Sequence, residues 1–140
     1  MKLGRAEIEA LIPHSGRMCL LDAVLDWNAQ RIVCIANPHR DPPHPLACAG
    51  RLTPLSLIEY AAQASAIHAG LNAAARAARR QARLASVSAV RFERLEVLDS
   101  VEHLEIHVEK LAGTGDGARY RFQILAAAGL SADGLLTVSG

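Results

Sequence analysis

Apolar and polar residues alternate strictly along part of the second half of the chain. From residue 103 to 109, Leu, Ile and Val occupy every second position, and the positions between them hold His or Glu. A period of two predicts a strand with one buried face and one solvated face. The wider pattern predicts four strands, at residues 84–98, 101–111, 118–127 and 135–138, with turns at 99–100, 113–117 and 131–134.

The first half of the chain is less regular. Apolar residues near helical spacing predict a short helix at residues 6–12, which ends at Pro13. Two segments rich in Leu, Val and Ile, at 18–27 and 31–36, predict a pair of strands joined by a turn at 27–30. Residues 37–50 contain four prolines and are predicted to form a loop, which at this length is typically functional.

A long helix is predicted between these two halves. Thr53 and Pro54 are a typical N-cap and first helical residue, and Gly70 is the only helix-breaking residue from there to about Arg80. Ten alanines lie within residues 61–78, so the helix can be approached closely. A long apolar helix followed by antiparallel strands predicts an α+β fold in which a curved sheet wraps a long central helix. The alternative is a helix that packs on a partner chain; both predict a helix covered on most sides.

Composition limits the class of protein. The chain has 140 residues, of which 51% are hydrophobic and 4% aromatic, and this predicts one domain over residues 1–140. A formal net charge of +1 excludes the global basic field that drives nucleic-acid binding. Three cysteines without Cys-x-x-Cys spacing argue against a disulfide framework and a structural zinc site, so we expect no metal.

The N-terminus lacks the apolar region of a signal peptide, and no apolar run suits a membrane span. We expect a cytoplasmic protein with neither a nucleic-acid nor a membrane partner.

Glu59 is the most informative polar residue of the predicted helix. Its helical neighbours three and four positions away carry no positive charge: Leu55, Ser56, Ala62 and Gln63. A carboxyl group in such surroundings suits general acid catalysis. The alternative is that Glu59 points to water or to an arginine from a strand. Gln63, one turn beyond on the same face, either orients this carboxyl, binds a substrate carbonyl or bonds to nearby backbone.

The predicted start of the same helix is a second candidate for binding. The first N–H groups of a helix have no intrahelical acceptor and favour a developing negative charge. The N–H groups near Leu55, Ser56 and Leu57 are therefore candidates to hold a substrate oxyanion. Every helix has such a start, so this feature alone is weak evidence for a binding site. It is more informative here because Glu59 is little more than a turn away.

Three histidines are candidates for a catalytic base. His14 follows the first predicted helix and precedes a predicted strand. His39 and His44 lie in the proline-rich loop, which could fold over Glu59. The residues alone do not distinguish between the three.

The other three histidines have structural interpretations. His68 lies in the middle of the predicted long helix, where a histidine is more often buried and hydrogen-bonded than catalytic. His103 and His107 share the solvated face of a predicted strand with two glutamates. A surface metal site there is conceivable, but solvated strand residues are the better interpretation.

Arginines cluster around the predicted end of the long helix and the strand that follows. Their positions are Arg76, Arg79, Arg80, Arg83, Arg91 and Arg94. The simplest interpretation is a solvated helix end, and the functional one is a docking surface for an anionic partner. The chain has no Gly-rich phosphate loop, no Ser or Cys nucleophile motif and no nucleic-acid-binding module.

Two segments resemble a known enzyme family. Residues 11–22, LIPHSGRMCLLD, are similar to the L-P-H-R-x-P-M-L-L-L-D-x-V opening of β-hydroxyacyl-acyl-carrier-protein dehydratases. Residues 57–64, LIEYAAQA, resemble the hydrophobic-I-E-x-x-A-Q stretch of their central helix. The resemblance spans nearly the whole chain and is strongest to the predicted dehydratases of aryl polyene (polyketide-like) clusters. It implies the hotdog fold, in which an antiparallel sheet wraps a long helix, with Glu59 as the catalytic acidic residue.

One motif of this family is absent from the sequence. The family's catalytic histidine lies in a G-H-F-P stretch fourteen residues before the glutamate, where this chain has Pro45, directly after His44. Thr53-Pro54 also replaces the usual Pro-Gly. Either His44 or His14 would then act as the base, or the site has lost its base.

The resemblance implies a 3-hydroxyacyl-acyl-carrier-protein dehydratase of fatty-acid or polyketide-type synthesis. A histidine would take the α-proton, Glu59 would protonate the departing hydroxyl, and the helix-start N–H groups would hold the thioester carbonyl. The substrate would arrive on the phosphopantetheine of an acyl carrier protein or on coenzyme A, with no further cofactor. The site would form between two subunits of a homodimer or larger homo-oligomer. The alternatives are a non-catalytic acyl-binding subunit that supports a partner dehydratase, and an acyl thioesterase.

Overall fold

Two helices and six strands make up the part of the chain that the computed structural model describes, which is residues 3–12, 16–39, 44–47, 52–74, 83–93, 103–114, 117–126 and 129–139. Helix α1 (Arg5–Glu9) and a 3₁₀ turn (Gly16–Met18) precede strands β1 (Ala23–Trp27) and β2 (Arg31–Ala36). Helix α2 (Ser56–Ala74) follows. The chain then continues through strands β3 (Arg83–Phe92), β4 (Leu104–Thr114), β5 (Gly117–Ala126) and β6 (Gly129–Ser139).

The six strands form one antiparallel sheet in the order β1-β2-β4-β5-β6-β3. Alternation along the strands decides which face is buried, and the buried residues of β4 and β5 are Leu104, Ile106, Val108, Ala118, Tyr120, Phe122 and Ile124. Helix α2 crosses the inner face of the sheet and contacts β2 to β6. The predicted α+β architecture, a curved antiparallel sheet around one long helix, is therefore confirmed.

The middle of helix α2 is enclosed by the rest of the chain. The nine consecutive residues from Tyr60 to His68 are all buried, and such a run covers more than two helical turns. Four of the nine are alanines, whose small side chains suit a close approach of the sheet. The helix begins at Ser56, two residues after the predicted first residue Pro54, and its predicted end near Arg80 lies outside the described residues. Among the described residues, no helix has both the length and the hydropathy that crossing a lipid bilayer requires.

The predicted strand at residues 18–27 is only half correct, because β1 covers Ala23–Trp27 alone. Before it, the Asp22 N–H still bonds to the Ile35 carbonyl of β2 at 2.9 Å, but side chains bind several of the other backbone groups. Arg5 donates hydrogen bonds to the carbonyls of Gly16 and Cys19, at 2.6 and 3.0 Å. The Gln63 amide pairs with this same segment from α2. Side-chain partners of this kind lie far away in sequence, so the local pattern could not reveal them.

The predicted turn at residues 131–134 is wrong, since these residues lie inside β6. Gly134 pairs with Phe122 of β5 and Ala132 with Ile124, and the register shifts by one residue at Ser131 before Leu130 pairs with Leu125. The composition Ser-Ala-Asp-Gly is typical of turns, but here the glycine allows the side chain of Phe122 to pack closely against the backbone of β6. A Cβ atom at position 134 would lie 2.9 Å from two ring atoms of Phe122 and 3.1 Å from Val90 Cα.

Gly134→Ala should therefore lower the free energy of unfolding by about 1–3 kcal/mol, because the Phe122 ring is fully buried and has little room to shift. Gly113→Ala is a matched control on β4, where the nearest atoms to an added Cβ are the Lys110 Nζ and Cε at 3.9 and 4.0 Å. That change should stay within about 0.5 kcal/mol of the wild type. Urea unfolding curves measure both, and equal losses in the two variants would contradict this account of Gly134.

Strand β3 forms one edge of the sheet, with β6 as its neighbour. Leu84 and Val87 pair with the buried Val138 and Leu136, so they face the inner side of the sheet. They are nevertheless 41% and 39% exposed in the single chain. The edge therefore has two features of a pairing surface. Its outer backbone groups can bond to another strand, and its inner face carries apolar side chains.

Candidate active site

Glu59 lies in the first turn of α2, at the point where the helix enters the core. The turn before it is fixed locally, because the Ser56 hydroxyl donates a hydrogen bond to the Thr53 carbonyl at 2.6 Å. The Glu59 side chain is half-buried, and its Oε1 accepts a hydrogen bond from Gln63 Nε2 at 3.2 Å. A carboxylate held in one orientation beside the core is suited to proton transfer to or from a bound substrate.

Gln63 connects this carboxylate to the segment before β1. Its side chain is 1% exposed, and the amide nitrogen donates both to Glu59 and to the carbonyl of Met18, the latter at 2.8 Å. The amide oxygen accepts the Leu20 N–H at 2.9 Å. Because a backbone carbonyl only accepts and an N–H only donates, these contacts fix which end of the amide is which. Gln63 thus orients Glu59, and its expected contact with substrate stays a prediction.

The structure places His44 against the residue next to Glu59. Its Nε2 lies 2.9 Å from the hydroxyl oxygen of Tyr60, which is fully buried. Its Nδ1 accepts the Leu46 N–H at 3.0 Å. The two rings are tilted by 44°, with centroids 6.0 Å apart. His44 therefore lies beside the start of α2, and both of its ring nitrogens are engaged.

The helix-start N–H groups are less available than the sequence suggests. The N–H groups of Ser56 and Leu57 donate to the carbonyls of Thr53 and Pro54, at 3.1 and 3.0 Å. Tight bonds of this kind satisfy the orphan donors of a helix start. A substrate oxygen would have to displace them, whereas the N–H of Leu55 has no acceptor among the residues described. The binding role of Leu55, Ser56 and Leu57 stays a prediction.

The other two candidate bases are placed differently. His14 lies outside the described residues. His39 lies in the turn after β2, where its N–H donates to Asn37 Oδ1 at 2.8 Å and its side chain is exposed. Of the three candidate bases, His44 is the one that the structure shows in contact with α2.

Tyr60 is the residue of this site that the sequence analysis missed. It is one of only three ionisable residues between Thr53 and Ala75, and that scarcity was the available signal. Its position next to Glu59 turns it about 100° around the helix, away from the face that Glu59 and Gln63 share. Its contact with His44 depends on the path of the loop, which the local sequence pattern does not determine.

His68 is buried at the far end of α2, as its structural interpretation implied. Its Nε2 donates to the Asn28 carbonyl at 2.7 Å, and its Nδ1 lies 2.8 Å from the Tyr120 hydroxyl, the donor in this pair. Burial lowers the pKa of His68, with a smaller opposing effect from the Asn28 hydrogen bond and a further lowering by Lys110. Burial also raises the pKa of Tyr120 well above its usual value. This cluster holds α2 against β5 and the β1–β2 turn.

Charged residues on the outer face of the sheet pair with one another. His107 Nε2 lies 2.9 Å from Glu105 Oε1, and Arg121 pairs with Glu109 at 3.2 Å. Within the predicted arginine cluster, Arg91 pairs with Asp133 at 3.0 Å. The side chains of the other five clustered arginines lie outside the described part of the structure.

Comparison with solved structures identifies the fold. A chain of the dehydratase heterocomplex ApeI:P from Xenorhabdus doucetiae is 20% identical with a TM-score of 0.83, over 94% of this chain and 89% of that chain. AziG from S. sahachiroi is 15% identical with a TM-score of 0.62, over 86% and 90%. A putative thioesterase from Syntrophus aciditrophicus is 11% identical with a TM-score of 0.69, over 96% and 93%. The shared architecture confirms the predicted hotdog fold.

Comparison with family profiles agrees with the resemblance drawn from the two motifs. No curated protein matches the chain in a sequence search. The profile of the ApeP-like family, described as ApeP dehydratase, matches residues 6–139 and so covers both motifs, α2 and the whole sheet. The chain belongs to the ApeP-like dehydratase family.

Proposed function

We propose that this chain catalyses the loss of water from 3-hydroxyacyl thioesters presented on an acyl carrier protein or on coenzyme A. The observation that carries the proposal is Glu59, a half-buried carboxylate held by Gln63 in the first turn of an enclosed helix. The chain belongs to a dehydratase family, and the resemblance of residues 57–64 to the central-helix motif of such dehydratases implies the acidic role for Glu59. No further cofactor takes part in the proposed reaction.

The proposed elimination needs two proton transfers. The thioester carbonyl acidifies the α-carbon, so one group must take the α-proton and one must protonate the departing 3-hydroxyl. A positioned carboxyl group can do either, because its protonated form gives a proton and its ionised form takes one. The hydrogen bond from Gln63 restrains the carboxylate, so less freedom is lost when substrate binds.

A second subunit completes the proposed active species. The edge strand β3 leaves Leu84 and Val87 partly exposed on the face that the core otherwise buries. Pairing of this edge with another hotdog subunit would satisfy the backbone groups and cover both side chains. We propose either a second copy of this chain or a different dehydratase subunit as the partner. The structural neighbour ApeI:P, a dehydratase heterocomplex, supports the second arrangement.

Two alternative functions rest on specific observations. A non-catalytic subunit that supports a partner dehydratase is favoured by the absent G-H-F-P motif and by His44, whose ring nitrogens are both hydrogen-bonded. An acyl thioesterase is favoured by the fold shared with the putative thioesterase from Syntrophus aciditrophicus. Thioester hydrolysis releases a free thiol, whereas dehydration leaves the thioester intact, so the products distinguish the two.

The test is an assay of the purified chain with 3-hydroxyacyl groups of several lengths on a carrier protein. The chain is assayed alone and after co-expression with a second hotdog dehydratase, and enoyl product and free thiol are both followed. We expect enoyl formation without thiol release. No enoyl product under either condition would end the proposal. Turnover that requires the partner and is unchanged by Glu59→Gln in this chain would identify a supporting subunit instead.

A further inference from the structure

The four residues from His44 to Ala47 form a turn that fixes the imidazole of His44. The Ala47 N–H donates to the His44 carbonyl at 2.9 Å, which closes the turn. Inside it, the Leu46 N–H donates to the His44 Nδ1 at 3.0 Å. Both bonds lie within residues 44–47, so the turn itself holds the ring independently of the contact with α2.

The contacts of His44 determine where its proton lies. A backbone N–H can only donate, so the Nδ1 that faces Leu46 must carry a lone pair. A neutral imidazole has one N–H, which must therefore be on Nε2. That N–H points at the Tyr60 hydroxyl oxygen, 2.9 Å away, as the acceptor. Because Tyr60 is fully buried in α2, it provides a fixed acceptor.

We propose that Tyr60 is a positioning residue that, together with the turn at residues 44–47, holds His44 in the tautomer protonated on Nε2. In that tautomer Nε2 has no lone pair with which to take a proton. The inference rests on the proposed function for its chemical consequence, which is that Glu59 moves both protons of the elimination. This assignment replaces the expectation from the sequence that a histidine takes the α-proton.

The proposed elimination balances with one carboxylate. The Cα–H bond breaks, its proton passes to Glu59, and the electron pair is held as the thioester enolate until it forms the Cα=Cβ bond as the 3-hydroxyl leaves. The Cβ–O bond then breaks, and the Glu59 carboxyl returns the same proton to the departing oxygen. Water leaves, and Glu59 is again a carboxylate. His44 neither gains nor loses a proton, because accepting one on Nε2 would first require a proton on Nδ1, facing the Leu46 N–H.

The tautomer is measured directly by long-range ¹H–¹⁵N NMR spectra of histidine-labelled protein, with the His44 signals assigned by their loss in His44→Gln. We expect a protonated Nε2 and an unprotonated Nδ1. Tyr60→Phe removes the acceptor and should shift the His44 signals towards a mixture of tautomers. Tyr120→Phe is the matched control, because Tyr120 bonds a different histidine, and it should change only the His68 signals. A His44 protonated on Nδ1, or signals that Tyr60→Phe leaves unmoved, would overturn the proposal.

Activity separates this inference from the proposed function. His44→Gln keeps an N–H donor but has no basic nitrogen, so we expect a loss in kcat of about tenfold, the size of one hydrogen bond. Glu59→Gln should cost about 10²–10⁴-fold. An equal loss in His44→Gln, or in His14→Gln, would identify a histidine base and refute this inference while the dehydratase function stood. Wild-type protein without turnover would end the proposed function, and the NMR spectra would then decide the tautomer by themselves.

Discussion

Glu59→Gln lowers kcat for dehydration of a 3-hydroxyacyl thioester by about 10²–10⁴-fold and leaves the fold intact. The amide has nearly the shape of the carboxyl group, but it neither takes nor returns a proton. Its oxygen can still accept the hydrogen bond that Gln63 Nε2 gives to Glu59 Oε1, so this contact within α2 is kept. The loss is therefore one of chemistry and not of packing.

The measurement compares enoyl formation at saturating substrate with the circular dichroism spectrum and the Tm of each variant. Glu109→Gln is the matched control, because Glu109 is 57% exposed on the outer face and pairs there with Arg121 at 3.2 Å. It removes one carboxylate without touching α2, and it should keep the wild-type kcat. A Glu59→Gln variant with undiminished kcat would show that the site is assigned to the wrong residue.

Local pattern predicted the architecture because each element is specified by its own sequence. The predicted strand at residues 31–36 coincides with β2, and the one at 118–127 coincides with β5 apart from two terminal residues. Helix α2 followed from Thr53-Pro54 and the apolar run after it. The turn predicted at 131–134 failed because a residue of another strand, Phe122, requires the glycine at 134.

The site was less predictable, because its geometry depends on contacts that are distant in the sequence. Gln63 and Glu59 are four residues apart on one helix, so their hydrogen bond follows from helical spacing. The bonds of Gln63 to Met18 and Leu20 cross more than forty residues, and no periodicity indicates them. His44 could be named as a candidate, but its contacts are with a backbone N–H in its own turn and with the hydroxyl of Tyr60, sixteen residues away on α2.

The scarce aromatic residues have a specific use in this fold. The chain has two tyrosines, both fully buried, and each is hydrogen-bonded to a histidine. Tyr60 bonds His44 at the start of α2, and Tyr120 bonds His68 near its end. A core made mainly of alanine and aliphatic residues thus contains two polar pairs, and these fix the helix at both ends. Buried pairs of this kind are costly to break, because each leaves polar atoms without partners.

The pair at the end of the helix predicts a pH-dependent stability. Burial, the largest effect, lowers the pKa of His68 from its usual value near 6.5, whereas the unfolded chain keeps that value. Below that pH the unfolded state binds more protons than the folded state, so the free energy of unfolding falls as the pH falls. The contribution of neutral His68 is fully present above pH 6.5 and is lost between there and the lowered folded pKa. Protonation would also turn Nδ1 into a donor facing the Tyr120 hydroxyl and Asn72.

His68→Gln removes this titration while it keeps an amide that can donate and accept. We expect the variant to lose about 1–3 kcal/mol at neutral pH, because the Asn28 carbonyl and the Tyr120 hydroxyl cannot both keep good geometry. Urea unfolding from about pH 8 to about pH 5 should then show a shallower decline than in the wild type. His107→Gln is the control, since His107 lies on the solvated face and pairs with the exposed Glu105 at 2.9 Å. Parallel pH profiles for His68→Gln and the wild type would mean that acid destabilises the fold through groups other than His68.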